Sequence, residues 1–250
     1  MFFLWQKGGI KLPFQSVFKR YELKFILDKH QKENILSAME PYMEKDKYGR
    51  TTICNVYFDT NDYRLIRRSI EKPVYKEKLR VRKYVGKNSN ENVFVELKKK
   101  YKKVVYKRRL CMNEEKAFLW LMGEKELDDN SQIAKEINYF LSYYSNLKPV
   151  VFLSYEREAY YSKDKSDFRV TFDENILTRD YNFSFKEGAY GDYVLPRDKV
   201  LMEIKCSSGI PLWMTSALSK EKIYKTSFSK YGTAYSTKIF PKINGGIQND

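Results

Sequence analysis

Four stretches of this 250-residue chain alternate charged and apolar residues with a period of two. Lys78, Arg80 and Arg82 alternate with Leu79 and Val81. Glu96, Lys98 and Lys100 oppose Val95 and Leu97, while Arg169, Thr171 and Asp173 oppose Phe168, Val170 and Phe172. Glu203 and Lys205 oppose Met202 and Ile204. Successive side chains of a strand point to opposite faces, so each stretch predicts a strand with one charged and one apolar side. A single charged face is ordinarily solvated. Four together, each backed by an apolar face that needs cover, constrain the fold further. A dry core of unpaired charges is excluded by its desolvation cost. A charged lining around water and ligand, with helices over the apolar side, satisfies both faces.

The remaining pattern supplies those helices. Phe18 to Leu27 reads as a strand with Arg20, Glu22 and Lys24 on one face, and Asp28 as the N-cap of a helix ending near Glu40. Thr51–Asp59, Lys76–Tyr84, Asn92–Lys100 and Lys103–Met112 read as strands, with a turn over Gly86–Asn90. Asn113 caps a helix through Met122, and a second runs from Ser131 to Tyr144. Pro149–Tyr161 and Asp167–Ile176 form a hairpin, Val200–Cys206 is a further strand, and a helix follows from Pro211 to about Phe228. Seven or eight mainly antiparallel strands with helical insertions predict a mainly β (α+β) fold, a closed or nearly closed barrel. One domain spans residues 18–240, and the Gly- and Asn-rich residues 241–250 read as a mobile tail.

Charge narrows the partners. The formal net charge is +15, and the window from Arg64 to Arg109 holds 18 Lys and Arg against 4 Asp and Glu. So concentrated an excess implies a polyanion: nucleic acid, acidic lipid or phosphate chains. Arg and Lys give charge-assisted hydrogen bonds to phosphate oxygens. Carboxylates hold divalent metal that bridges the same oxygens, and a Glu-x-Lys unit recurs at Glu22, Glu96 and Glu203. Enclosed phosphate binding is the favoured reading. A nucleic-acid stacking face is the alternative, against which stand the missing RNP-type strand pair, zinc-finger spacing and recognition helix. The three cysteines, Cys54, Cys111 and Cys206, have no framework or zinc spacing and fit a reducing, cytoplasmic setting. His30, the single histidine, is assigned no role. No run of 18 apolar residues and no signal peptide is present, so association with a membrane is left to a partner protein or to the basic surface.

An ordered set of segments carries a resemblance. These are RYELKF (Arg20–Phe25), VYFDT (Val56–Thr60), KLRVRKY (Lys78–Tyr84), FVELKKK (Phe94–Lys100), VVYKRRL (Val104–Leu110) and LSYEREAYY (Leu153–Tyr161). FRVTFDENI (Phe168–Ile176), LMEIKCSSGIP (Leu201–Pro211) and YKTSFSKY (Tyr224–Tyr231) complete it. The chain resembles the VTC domain, the polyphosphate polymerase domain of the triphosphate tunnel metalloenzyme superfamily, over residues 18 to 235. The resemblance implies an eight-stranded antiparallel tunnel barrel. It also implies transfer of the terminal phosphate of ATP onto a polyphosphate chain with Mn²⁺ or Mg²⁺. Superfamily members that hydrolyse triphosphate supply one alternative, hydrolysis of ATP or inorganic triphosphate. A non-catalytic polyphosphate- or nucleic-acid-binding module is another.

Position by position, the resemblance implies catalytic roles for Lys24, Arg80, Arg82, Lys98, Arg157, Arg169 and Lys230. Lys78, Lys107, Lys205 and Ser229 join them as phosphate contacts. Glu203 is similar to the family's metal-binding glutamate, with Glu22 and Glu96 as further metal candidates. Superfamily hydrolases often carry Glu-x-Glu-x-Lys on the first strand. Here it reads Arg20-Tyr21-Glu22-Leu23-Lys24, which favours the polymerase. The chain begins almost at the first strand, as expected of a stand-alone, bacterial-type member without an inositol-phosphate sensor domain.

Overall fold

The structure is a computed structural model that describes residues 21–86, 92–102, 104–207 and 209–245. Strand β1 (Tyr21–Asp28) runs straight into α1 (Lys29–Met39). The Asp28 carboxylate accepts the Gln31 amide at 2.8 Å, and the Asp28 amide donates to the Gln31 side chain at 3.0 Å. This capping box lets a strand become a helix with no intervening loop. There follow β2 (Met43–Lys45), β3 (Thr51–Asp59), α2 (Arg64–Ile70), β4 (Tyr75–Val85), β5 (Asn92–Tyr101) and β6 (Val104–Asn113). Asn113 and Ser131 cap α3 (Glu114–Leu121) and α4 (Gln132–Tyr144). Then come β7 (Lys148–Ser162), β8 (Arg169–Arg179), β9 (Asp192–Tyr193) and β10 (Lys199–Cys206). The chain continues through α5 (Leu212–Lys220), β11 (Lys225–Thr226) and α6 (Lys230–Ala234). A π-helical turn over Tyr235–Ile239 leads into α7 (Phe240–Gly245).

The short strands β2, β9 and β11 and the C-terminal helices α6 and α7 were not among the expected elements, and two further helices differ from the sequence reading. Helix α2 was not expected: its seven residues are too few to print a helical period. Helix α5 stops at Lys220, eight residues before the expected Phe228, because Lys222 takes a left-handed φ of 52° and the Ile223 amide closes back on the Leu218 carbonyl. Of the expected mobile tail, residues 241–245 lie in α7, and residues 246–250 are outside the described residues. Arg20 and the segment before it are outside them as well.

The strands form one antiparallel sheet in the order β11-β1-β10-β8-β7-β3-β4-β5-β6, with β2 on β7 and β9 on β8. The expected closed eight-stranded barrel is not what forms. Closure requires β1 to hydrogen-bond β6, and no such pairing exists among the described residues. The free edge of β1 is instead taken by β11, which pairs at Lys24 and Phe25. The result is a curled, open sheet with a seam. Across that seam Glu22 of β1 meets Lys98 of β5 at 3.9 Å.

Two cores cover the outer face. Leu79, Val81, Val95 and Leu97 are fully buried beneath α3 and α4 with Trp120, Ile137 and Phe140. Burying each such side chain is worth roughly 1.5–3 kcal/mol, which holds the helices to the sheet. Phe25, Val170, Phe172, Met202 and Ile204 lie in a second core with Ile35 of α1 and Met214 of α5. The inner face is divided. Ile53, Tyr57, Leu153, Tyr155 and Leu201 hold Tyr231, Ala234, Tyr235 and Ile239 of the C-terminal helical segment. The rest of that face is charged or polar. Among the described residues no helix is long and apolar enough to cross a membrane.

Candidate functional site

Antiparallel register gathers the first charged cluster. β4 and β5 set Arg80 opposite Glu96, and β5 and β6 set Glu96 opposite Arg109. Arg80 donates to Glu96 through Nε at 2.9 Å and Nη2 at 2.7 Å, and its Nη1 donates to the Tyr57 hydroxyl at 3.0 Å. The other Glu96 oxygen accepts from Arg109 Nε at 2.7 Å and lies 2.8 Å from Lys107 Nζ. Arg82 Nε donates to Asn55 at 3.0 Å and lies 3.9 Å from Glu96. Four cations therefore surround one carboxylate that is 1% exposed. Burial alone would raise the Glu96 carboxyl, but Arg80, Arg82, Lys107 and Arg109 hold it well below the usual range. The cluster keeps a large positive excess, fixed in place by one buried anion.

A second cluster lies on β10, β8 and β7. Asp173, fully buried, accepts from Arg157 Nε at 2.5 Å and Nη2 at 2.6 Å, and Lys230 Nζ is 2.5 Å from it. Glu203 lies 2.9 Å from Lys205, 3.3 Å from Lys230 and 3.5 Å from both Arg157 and Lys24. Burial opposes ionisation of Glu203, yet Lys230, Lys205, Arg157 and Lys24 outweigh it and its carboxyl falls well below the usual range. Lys230 is raised: burial disfavours its charge, and Asp173 and Glu203 more than restore it.

Between the clusters lies a group with few anions. Lys24 Nζ donates to the Phe228 carbonyl at 2.8 Å and is 3.4 Å from Glu22. Lys78 Nζ donates to Ser229 Oγ at 3.2 Å. Burial, then the charges of Lys98, Lys76 and Lys24, push Lys78 down to about 7. Burial raises Glu22, but Lys98, Lys205 and Lys24 bring it down to about 2.

The sequence-selected residues thus fall into three groups. Arg80, Arg82, Lys107 and Glu96 form the first cluster; Arg157, Lys205, Glu203 and Lys230 the second; Lys24, Lys78, Lys98, Glu22 and Ser229 lie between. Arg169 pairs in register with Lys205 and stacks on Tyr161 at 4.6 Å, and its buried Nε has no hydrogen-bond partner among the described residues. Asp173, Arg109, Tyr57, Asn55 and Tyr155 were not selected as site residues. Strand parity was the available signal for two of them. Asp173 shares a face with Arg169 and Thr171, and Arg109 with Lys107.

The donor set can be tested against a divalent cation. Among the described residues no three of His, Cys, Asp and Glu converge on one point. Glu22 and Glu203 are nonetheless hard oxygen donors that both reach Lys24, at 3.4 and 3.5 Å. An Mg²⁺-type ion is commonly held by one or two carboxylates, with phosphate oxygens and water completing its shell. The residues fit an ion carried in with a phosphate chain; Asp173, saturated by Arg157 and Lys230, and Glu96, enclosed by four cations, are the least available donors.

Residues 19–239 match the model of the VTC domain. Among solved structures, a protein assigned as an adenylate cyclase from Bacillus halodurans superimposes with a TM-score of 0.54 at 14% identity, over 86% of this chain and 96% of that one. An assigned adenylyl cyclase from Hippeastrum, which has a dominant triphosphatase activity, superimposes with a TM-score of 0.53 at 17% identity. It covers 88% of this chain and 97% of its own. No curated protein matches the sequence. The two superpositions establish likeness of fold.

Proposed function

Because the chain belongs to the VTC domain family, within the triphosphate tunnel metalloenzyme superfamily, we propose that its charged inner face binds a triphosphate and cleaves the terminal phosphoanhydride. The observation that carries this reading is the Glu96 cage, in which Arg80, Arg82, Lys107 and Arg109 share a single buried counter-ion. Such an array has positive charge to spare for phosphate oxygens and needs no reorganisation when charge builds on them. Glu96 acts as its organising counter-ion. Lys98, Lys78 and Lys24 extend the donors toward the second cluster, where Arg157, Arg169, Lys205 and Lys230 take further oxygens.

A divalent cation, when bound at Glu203 and Glu22, would neutralise charge on the bridging and terminal phosphate oxygens. An attacking oxygen forms a bond to the terminal phosphorus as the bridging P–O bond breaks, and the diphosphate leaves. With water as the acceptor the activity is a triphosphatase, the reading supported by the dominant activity of the Hippeastrum protein of similar fold. With a chain phosphate as the acceptor it is an ATP-dependent polyphosphate polymerase, supported by the VTC match and by Arg20 at the first acidic position of the hydrolase motif. Incubation with ATP or inorganic triphosphate and Mn²⁺ or Mg²⁺ tests the proposal. Orthophosphate with ADP from ATP, or with pyrophosphate from inorganic triphosphate, and no longer chains supports the triphosphatase; acid-labile long chains on a gel support the polymerase, and intact substrate sinks both.

Lys78 should make binding of inorganic tripolyphosphate pH-dependent. Its amine loses its proton near 7 in the free protein and regains it when an anion arrives. Affinity should therefore fall as the pH rises above 7, by up to about tenfold at pH 8.5, relative to Lys78→Met. Titration of the phosphate itself cancels in that comparison. Calorimetry in two buffers of different ionisation enthalpy should reveal proton uptake by the wild type, lost in the variant. Equal pH profiles would refute the assignment.

A further inference from the structure

The VYFDT and SFSKY segments share a buried hydrogen bond, between Tyr231 and Asp59, for which the site described above has no use. Asp59 ends β3 and is fully buried. One carboxylate oxygen accepts the amides of Thr60 and Leu65, both at 2.8 Å. The other accepts the Ile66 amide at 3.0 Å and the Tyr231 hydroxyl at 2.9 Å. The carboxylate thus fixes the start of α2 and, from the same atoms, captures α6.

Tyr231 is itself buried, and its ring stacks on Tyr57 at 4.6 Å. Tyr57 in turn accepts from Arg80. The residue before Tyr231 is Lys230, the cation between Asp173 and Glu203. Helix α6 is the first turn of a helical run that continues through the π-helical turn and α7, and the position of that first turn is set by what it touches. The Tyr231 ring and hydroxyl are the fixed points adjoining Lys230. Gly232 completes the fit: a Cβ there would come within 3.1 Å of Ser229, whose Oγ receives both the Gly232 amide and Lys78.

We propose that Asp59 and Tyr231 are a positioning pair that sets the Lys230 ammonium against Asp173 and Glu203 during cleavage of the bound triphosphate. Its kinetic consequence rests on the function proposed above; its structural consequence does not. Tyr231→Phe keeps the stack on Tyr57 and removes only the hydroxyl, leaving Asp59 its three amide donors and α2 intact. Amides of residues 229–239 should exchange with deuterium about tenfold faster in this variant, the loss of one buried hydrogen bond. Exchange in β3 and β7 should not change.

With inorganic tripolyphosphate, kcat should fall about tenfold while KM stays within twofold, because the Glu96 cage is untouched. In the Asp59→Asn background, which also disturbs the amide contacts of α2, Tyr231→Phe should lower kcat no further, since the hydroxyl acts through the Asp59 carboxylate. Unchanged exchange over 229–239 overturns the pair. So do faster exchange with unchanged kcat, a rise in KM alone, or additive losses. A wild-type protein that cleaves no triphosphate overturns the functional reading, and the exchange comparison then still decides whether the pair holds α6.

Discussion

Replacing Arg80 and Arg82 together by alanine is expected to lower triphosphate cleavage by about a thousandfold or more. Removing one preorganised donor to a developing oxyanion commonly costs about 10²–10³ in kcat, and this pair supplies two guanidinium groups. The fold should survive. Glu96 keeps Lys107 and Arg109, so its buried charge remains compensated, and the apolar side chains behind these strands, Leu79 and Val81, are unaltered. Circular dichroism and thermal melting of the double variant check the second half of this expectation. Wild-type-like turnover in a folded variant would remove the cage from the mechanism.

The second large effect concerns the carboxylates. Glu203→Gln should cut turnover by about a hundredfold and displace the Mn²⁺ or Mg²⁺ dose-response to higher concentration, since it removes a hard anionic donor from the face that receives the phosphate chain. Glu96→Gln is the matched comparison. It should reduce thermal stability by about 3 kcal/mol, because four cations lose their buried partner, and should leave the metal midpoint where it is. Parallel titrations of both variants separate the roles. Equal metal shifts would place the ion between the clusters, and no shift in Glu203→Gln would assign it to other ligands.

How much of this was legible in the sequence depends on the kind of interaction. Strands β1, β4, β5, β8 and β10 were readable from two-residue parity, and parity also put Lys78, Arg80 and Arg82 on one face. The closure of the sheet was not readable. Parity says which side a residue faces, whereas closure depends on which edge a strand as short as Lys225–Thr226 occupies. Helix α2 escaped for a similar reason, since Asp59 starts it through hydrogen bonds rather than through an apolar repeat. Pairing specificity was hidden too. Glu22, Glu96 and Glu203 look alike as Glu-x-Lys units, yet register sets Arg109 opposite Glu96, with Lys107 on the same face, while α6 brings Lys230 to Glu203. The sequence distance between Asp59 and Tyr231 left their contact with no local signal.

The seam between the β1 and β6 ends of the sheet changes how a linear polymer can meet this face. A cylinder closed by backbone hydrogen bonds admits a chain only end first, like a needle's eye. Here, among the described residues, the two sides meet through side chains, Glu22 with Lys98 and Lys78 with Ser229, contacts that open without breaking any ladder. A groove of that construction can be loaded from the side, so a ring of phosphates or a chain blocked at both ends meets no topological barrier to reaching the cationic lining.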